Sequence, residues 1–201
     1  GYRIPREKLA AEIGRIVDMG VEVKTSTRIG KDISVEQLEK DFDATLWALG
    51  CWTGRGLPVD GWDAASNCVD GLTFLEAFNN GRMKVTGQKL VCIGGGDTSI
   101  DVVSVARRIG FNADAGLPED ILNNSETQDQ ALADAAVPCD ATLTSLFTKD
   151  KMMAAEHEIT DATEEGVTIY DGVMPLEVIL GDDGRATGLK VCDCTMDGMT
   201  P

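Results

Sequence analysis

The run Lys89-Leu90-Val91-Cys92-Ile93-Gly94-Gly95-Gly96-Asp97-Thr98-Ser99-Ile100-Asp101 constrains the fold more than any other segment. An apolar strand meets three consecutive glycines and passes straight into a helix. Glycine lets the backbone turn tightly and approach a ligand with no Cβ in the way, while the N–H groups and positive dipole end of the next helix attract an anion. The arrangement suits the pyrophosphate of a dinucleotide. Asp97 or Thr98 is placed to cap the helix, and Ile100, Val103 and Ala106 turn an apolar stripe toward a sheet. In the G-x-G-x-x-G pattern the third glycine is Ser99, small enough for close helix–strand packing but less permissive than Gly or Ala. A glycine-rich loop on its own can be only a tight turn; the strand before it and the helix after it favour the phosphate cradle.

The 201 residues, 43% of them apolar, suffice for one large domain or parts of two. With 18 basic against 34 acidic residues, net −16, the charge balance argues against electrostatic attachment to nucleic acid or to anionic lipid. No apolar run approaches the roughly 20 residues a membrane span needs, and no signal peptide opens the chain, so a cytoplasmic location is expected. Cys51, Cys68, Cys92, Cys139, Cys192 and Cys194 contain no C-x-x-C pair, and their spacing fits neither a zinc site nor a cubane cluster. Cys92 reads as a small buried hydrophobe, and Cys192 and Cys194 share one face of a strand. His157 is the only histidine, which leaves Ser/His/Asp and multi-histidine mechanisms without their parts and reads as a solvated helix position. No metal site is expected.

Along the chain, Leu9, Ile13, Ile16 and Val17 recur at helical spacing until Gly20, and a strand is expected at 21–25. A second helix starts at Ser34, with Gln37 placed for a capping box and Leu38 inward, and the segment from Ala44 to Gly50 reads as a buried strand. Glycine and proline density marks residues 51–70 as a connector, which sets the boundary between an opening segment, 1–66, and a nucleotide domain, 67–201. A short helix over 73–79 precedes the phosphate motif. Residues 111–140, with seven acidic residues and no lysine or arginine, read as an inserted, exposed loop or short-helix excursion. Strands at 141–147, 167–170, 177–180 and 186–194 and a helix over 154–165 follow, the last two strands joined by Gly181-Asp182-Asp183-Gly184. The expected class is α/β: a Rossmann-like three-layer nucleotide-binding domain with a parallel sheet and a small antiparallel addition.

Several pieces, in order and over nearly the whole chain, resemble the glutamate synthase small (beta) subunit and related FAD/NAD(P)-dependent oxidoreductases, including the corresponding domains of dihydropyrimidine dehydrogenase. They are Gly1 to Glu7, Gly20-Val21-Glu22-Val23, Gly30-Lys31-Asp32-Ile33, Asp43-Ala44, Ala48-Leu49-Gly50, Gly94 to Thr98 with Asp101, and Glu164-Glu165-Gly166-Val167. The resemblance implies an FAD domain interrupted by a nicotinamide-nucleotide domain, with hydride passing from NAD(P)H to FAD and electrons leaving through iron–sulfur clusters. It makes the chain a fragment: part of the FAD domain, then most of the NAD(P)-binding domain. The family's FAD loop and cluster cysteines would precede Gly1, so the purified chain is expected to be colourless. The implied partners are NAD(P)H, the remainder of the FAD domain, and an electron-accepting subunit or iron–sulfur domain.

Site assignments follow from the same resemblance. Gly94, Gly95 and Gly96 would give backbone access to the pyrophosphate, with Asp97, Thr98 and Ser99 ligating or capping beside it. Ala48, Leu49 and Gly50 match the hand-over near the flavin, although a buried strand end is the simpler reading of those three. Relatives that use NADPH carry two arginines after the second strand of the nucleotide domain; here Leu146 and Phe147 stand at those places, and Lys149 and Lys151 compensate only in part. Asp150 is the nearest acid for a ribose 2′-OH. NADH is therefore expected over NADPH. Hydride transfer between cofactors asks for positioning, so no acid, base or nucleophile is assigned. Open alternatives are a relative serving sulfur metabolism and a nonenzymatic nucleotide-binding or interaction module.

Overall fold

A computed structural model describes residues 3–116, 118–124, 126–198 and 200–201. Its contacts divide the chain into two compact units, Gly1–Trp52 and Thr53–Pro201.

The first unit holds helices α1 (Arg6–Asp18) and α2 (Val35–Asp41). The Ser34 side chain accepts from the Gln37 N–H at 3.1 Å, which satisfies one of the orphan donors of the first turn of α2. The apolar positions of α1 recur as expected, yet Leu9, Ile13, Ile16 and Val17 are between 41% and 53% exposed. The segments 21–25 and 44–50 are not strands, and the second is exposed throughout, Leu46 to 91%. Both expectations of a strand are corrected. Apolar alternation supplies a face, but a strand exists only when a neighbour pairs its N–H and C=O groups, and among the described residues neither segment has one.

The second unit is built on a parallel sheet. Helix α3 (Gly71–Asn79) leads to β1 (Lys89–Ile93), α4 (Asp97–Ile109), the short helices α5 (Pro118–Asn124) and α6 (Ala131–Asp134), β2 (Asp140–Thr144), α7 (Glu156–Glu164) and β3 (Thr168–Tyr170). The strand order is β1-β2-β3, all parallel, with Cys92 beside Leu143 and Leu143 beside Ile169. That register puts Leu90, Cys92, Ala141, Leu143 and Ile169 on one face, because residues paired across a ladder point the same way. Helix α4 packs against β1, β2, α3 and α7. Its Ile100, Val103 and Ala106, with Val105, form the core together with Ala141 and Leu143, all 1% exposed or less.

Two features tie the far ends of this layer. Arg107 on α4 donates to the carbonyls of Glu165 at 2.7 Å and Cys139 at 2.8 Å, joining the end of α7 to the start of β2. Asp70 caps α3, its carboxylate accepting from the N–H groups of Leu72 and Thr73 and from the Thr73 hydroxyl. An antiparallel hairpin follows, β4 (Val173–Leu180) and β5 (Ala186–Asp193), closed by a turn in which the Gly181 N–H donates to the Arg185 carbonyl.

The acidic insert forms two short helices and is largely exposed, but a few of its residues anchor it to the rest of the unit. Ile121 and Gln128 are buried, and the Gln128 side-chain oxygen accepts from the backbone N–H groups of Lys84 at 2.7 Å and Val85 at 3.0 Å. Glu119 is buried in an ion pair with Arg185 of the hairpin turn, and Arg82 donates to the Ile121 carbonyl. Composition hides this, because the docking depends on three polar side chains rather than on an apolar stripe.

Candidate dinucleotide-binding site

The site grows from the junction of β1 and α4. Gly94 takes φ +142, a conformation L side chains rarely adopt, and its N–H donates to the Thr144 carbonyl, fastening the loop to the end of β2. A Cβ at Gly94 would stand 2.5 Å from the Ser99 Oγ. Ser99, at the third-glycine position, thus packs over the first glycine. A Cβ at Gly95 would meet the Ser145 Oγ at 2.6 Å and Met152 at 3.4 Å, so this glycine is required by the floor of the loop. Gly96 differs: an added Cβ would find no atom within 4 Å. The open side of the loop is at Gly96, over the N-terminus of α4, where the N–H groups of Asp97 and Thr98 precede the first intrahelical bond, from the Ser99 N–H to the Gly96 carbonyl at 2.9 Å.

Gly96 itself is the N-cap, in extended conformation and with no side chain to cap the helix. Asp97 is the first helical residue, so the expectation that Asp97 or Thr98 caps α4 is corrected. The Asp97 carboxylate instead accepts from the Ala155 N–H at 3.2 Å, at the N-terminus of α7. The Gly95 carbonyl accepts from the Ala154 N–H at 3.1 Å. The glycine loop and the start of α7 are therefore stitched together by two hydrogen bonds. Sequence reasoning did not place Ser145, Met152, Ala154 and Ala155 against the loop: they reach it because β2 lies beside β1.

Lys149 and Asp150 lie just past β2, in a 3-10 turn at Lys149–Lys151. The Lys149 N–H donates to Asp171 at 2.7 Å, and its ammonium donates to the Thr163 hydroxyl of α7 at 3.1 Å. A hydrogen bond from Thr148 holds the Asp150 carboxyl below its usual range. Leu146 and Phe147 are half-buried at the strand end, the Phe147 N–H donating to the Ser145 Oγ at 3.1 Å. Cys92, half-buried, lies beneath the loop, and burial pushes its thiol up to about 12, which removes it as a nucleophile. His157 is exposed on α7. Ala48, Leu49 and Gly50 are exposed in the first unit, with Gly50 at φ +71 and the Leu49 carbonyl accepting from the Trp52 indole. The loop residues 94–99 come together with the strand end that precedes Lys149 and Asp150. Gly1 and Tyr2, at the start of the Gly1 to Glu7 piece of the resemblance, lie outside the described residues.

No family model matches the chain. It is 32% identical to the NADPH-Fe(3+) oxidoreductase subunit beta of Geobacter sulfurreducens over 191 residues, 94% of this chain and 24% of that protein. It is 30% identical to the NAD-dependent dihydropyrimidine dehydrogenase subunit PreT of Escherichia coli, over 88% of this chain and 36% of the relative. Against the Escherichia coli glutamate synthase [NADPH] small chain the identity is 24%, over 94% of this chain and 37% of the relative. The chain thus spans between about a quarter and two-fifths of the length of these proteins. Among solved structures, FprA from Mycobacterium tuberculosis superimposes with a TM-score of 0.57 at 11% identity, over 95% of this chain and 56% of that one, a likeness of fold. No helix among the described residues is long and apolar enough to cross a membrane.

Proposed function

Because the chain is a homologue of part of the glutamate synthase small chain and of related FAD/NAD(P)-dependent oxidoreductases, we propose that its second unit binds NAD(P)H for a flavoprotein that passes hydride onward. The observation that carries this is the loop at Gly94, Gly95 and Gly96. Two of its glycines are demanded by packing within the protein, while the third faces open space at a helix N-terminus. A packing requirement alone accounts for Gly94 and Gly95. It leaves Gly96 unexplained, and a phosphate approaching the backbone explains it.

In this reading Gly96 and the first-turn N–H groups of Asp97 and Thr98 receive the pyrophosphate, and Ser99 holds the loop close to the helix. Asp97 positions the start of α7 through Ala155 rather than touching phosphate. The nicotinamide, when bound, supplies a hydride to the flavin; this chain's own residues bind and orient it. The domain assignment goes with the reading: residues 1–66 belong to the flavin domain, with Ala48, Leu49 and Gly50 at its hand-over, and 67–201 form the nicotinamide domain. The exposed apolar face of α1 is covered by the remainder of that flavin domain. An electron-accepting subunit or iron–sulfur domain completes the assembly in the cytoplasm.

NADH is the preferred donor. A 2′-phosphate at the end of β2 would face Leu146 and Phe147 in place of arginine forks, losing charge-assisted hydrogen bonds worth about 1.5–3 kcal/mol each. Lys149 is a poor substitute, its ammonium engaged by Thr163, whereas the ionised Asp150 suits a ribose hydroxyl. Titrating the protein with NADH and NADPH tests both levels. Saturable NADH binding that is tighter than NADPH binding is expected; tighter NADPH binding removes the preference, and binding of neither removes the dinucleotide reading.

A further inference from the structure

The insert over 111–140 has no part in the dinucleotide site, yet it walls one side of a second cleft. This open cleft, of about 310 Å³, lies between the ends of α3 and α4, the segment leading to β1, and the insert. Binding pockets begin at about 300 Å³, so it has room for a small ligand. Helix α4, 13 residues and about 20 Å long, separates it from the glycine loop at its other end. Much of the wall is apolar. Phe78 and Ile109 are half-buried, Met83 is 2% exposed, and the insert contributes Ala133. A ring seated there would meet an aromatic face and a thioether, both favourable neighbours for it.

The polar part of the lining is rich in donors. Lys84 and Arg108 are the charged side chains among the lining residues, and both are cations. Arg108 is already matched: its guanidinium forks onto the Glu165 carboxylate, Nε donating to Oε2 at 2.8 Å. Lys84 is not. Its ammonium makes no ion pair or hydrogen bond among the described residues. It lies over Gly81, 3.7 Å from where a Cβ would stand, and the α3 carbonyls at that end are taken. Ala77 accepts from the N–H groups of Arg82 and Met83, and Phe78 from that of Gly81.

A second unpaired donor sits close to this lysine. The Gln128 Oε1 accepts from the N–H groups of Lys84 and Val85, which fixes the orientation of the amide and leaves its Nε2 buried without a partner. With Oε1 2.7 Å from the Lys84 nitrogen, Nε2 is within about 5 Å of that backbone. Buried donors are nearly always satisfied, so an enclosed amide with no acceptor points to a group that supplies one.

We propose that this cleft binds a small organic monoanion with an apolar body, a carboxylate carried on a ring. The carboxylate meets the Lys84 ammonium and the Gln128 Nε2, and the ring lies on Phe78 and Met83. One unmatched cation selects one negative charge, through charge-assisted hydrogen bonds. The site is independent of the dinucleotide reading, since none of its residues belongs to the glycine loop and its test uses no dinucleotide.

The test titrates the purified protein with benzoate, followed by nitrogen-15 NMR, beside benzamide as the neutral isostere and acetate as the anion without a ring. Saturable shifts at Gly81, Lys84, Gln130 and Ala133 and at the Gln128 side-chain amide are expected. Benzoate should bind about fivefold or more tightly than either comparison compound. Lys84→Met keeps the stem and the backbone N–H that Gln128 uses, and should bring benzoate to the affinity of benzamide, while Lys89→Met leaves it unchanged. Ala133→Leu fills the cleft from the insert side and should weaken benzoate and benzamide alike. Absence of saturable shifts at these residues overturns the proposal. So does benzamide binding as tightly as benzoate, or benzoate affinity unchanged in Lys84→Met or in Ala133→Leu.

Discussion

Gly95 and Gly96 are neighbours in one loop, and the structure gives them opposite requirements, which makes their alanine variants a paired test. At Gly95 a Cβ would lie 2.6 Å from the Ser145 Oγ and 3.4 Å from Met152. Ser145 is 2% exposed, and its Oγ accepts from the Phe147 N–H, so it has no open space to move into and would break that bond if it did. Overpacking costs about 1–3 kcal/mol and the lost hydrogen bond about 0.5–1.5 kcal/mol, so Gly95→Ala should destabilise by about 2–4 kcal/mol. For a domain of this size each kcal/mol lowers the midpoint by about 2–4 °C. At Gly96 the backbone is extended, φ −101 and ψ 173, and nothing lies within 4 Å of the added methyl. Because Gly96 is the N-cap of α4, where Ala is less favourable than Gly, Gly96→Ala should cost about 1 kcal/mol or less, clearly below the cost of Gly95→Ala.

Dinucleotide affinity should separate the pair in the other direction. The Gly96→Ala methyl occupies the space a pyrophosphate must enter, so NADH binding should weaken tenfold or more, about 1.4 kcal/mol, in a protein that stays folded well above the titration temperature. Calorimetric titration and thermal unfolding on the same samples measure both quantities. Wild-type NADH affinity in Gly96→Ala would refute the assignment of the open side of the loop to phosphate. A wild-type melting midpoint in Gly95→Ala would refute the packing geometry from which that assignment is drawn.

Three other variants probe separate parts of the second unit. Leu146→Arg with Phe147→Arg should move the NADPH-to-NADH affinity ratio upward by about tenfold or more, read by parallel titrations; an unchanged ratio places 2′-phosphate recognition elsewhere. Arg107→Met removes two hydrogen bonds to carbonyls and should cost about 2–4 kcal/mol in denaturant unfolding, and a loss under about 1 kcal/mol would show that water replaces the guanidinium at both. Asp70→Asn tests the cap of α3. Burial raises the Asp70 carboxyl, but bonds from the Thr73 hydroxyl and the N–H groups of Thr73 and Leu72 more than offset it, leaving a net lowered pKa. Its stabilising contribution is therefore complete above the unfolded value, near pH 4, and lost as pH falls through the lower folded one; the variant's stability should fall less steeply below about pH 4 than the wild type's.

Legibility in the sequence follows the range of the interactions involved. The strand, loop and helix at 89–109 are readable because the apolar run, the glycines and the stripe of Ile100, Val103 and Ala106 are contiguous and mutually consistent. The hairpin is readable from its turn. The cap at Gly96 is misread, because Asp97 has the chemistry of an N-cap and only the position of Ala155, 58 residues on, shows where its carboxylate goes. The anchoring of the insert is hidden for a similar reason: Gln128 satisfies the N–H groups of Lys84 and Val85, more than 40 residues earlier. The strands expected at 21–25 and 44–50 fail differently, since their apolar patterns specify a face while pairing needs a second chain segment. Leu46 is 91% and Trp47 49% exposed, so their apolar character finds no pairing among the described residues of the first unit.

The same distinction explains why the loop declares a dinucleotide more plainly than it declares which one. Pyrophosphate recognition is a backbone property, written in glycines at fixed spacing. Recognition of the 2′ position is a side-chain property at the far end of β2, and there residue identity is a poor guide without its partners. Lys149 read alone is a cation available to a phosphate. In the fold its ammonium is drawn to Thr163 and its N–H to Asp171, so the positive charge is directed along α7. Asp150 read alone is one acid among many, yet a hydrogen bond from Thr148 lowers its carboxyl further and ties it to the turn that follows the strand end. Removing the Thr163 hydroxyl should therefore release Lys149: Thr163→Val is expected to improve NADPH binding while leaving NADH binding unchanged. Equal gains for both cofactors would mean that the lysine reaches the pyrophosphate, and the specificity would then lie with Leu146 and Phe147 alone.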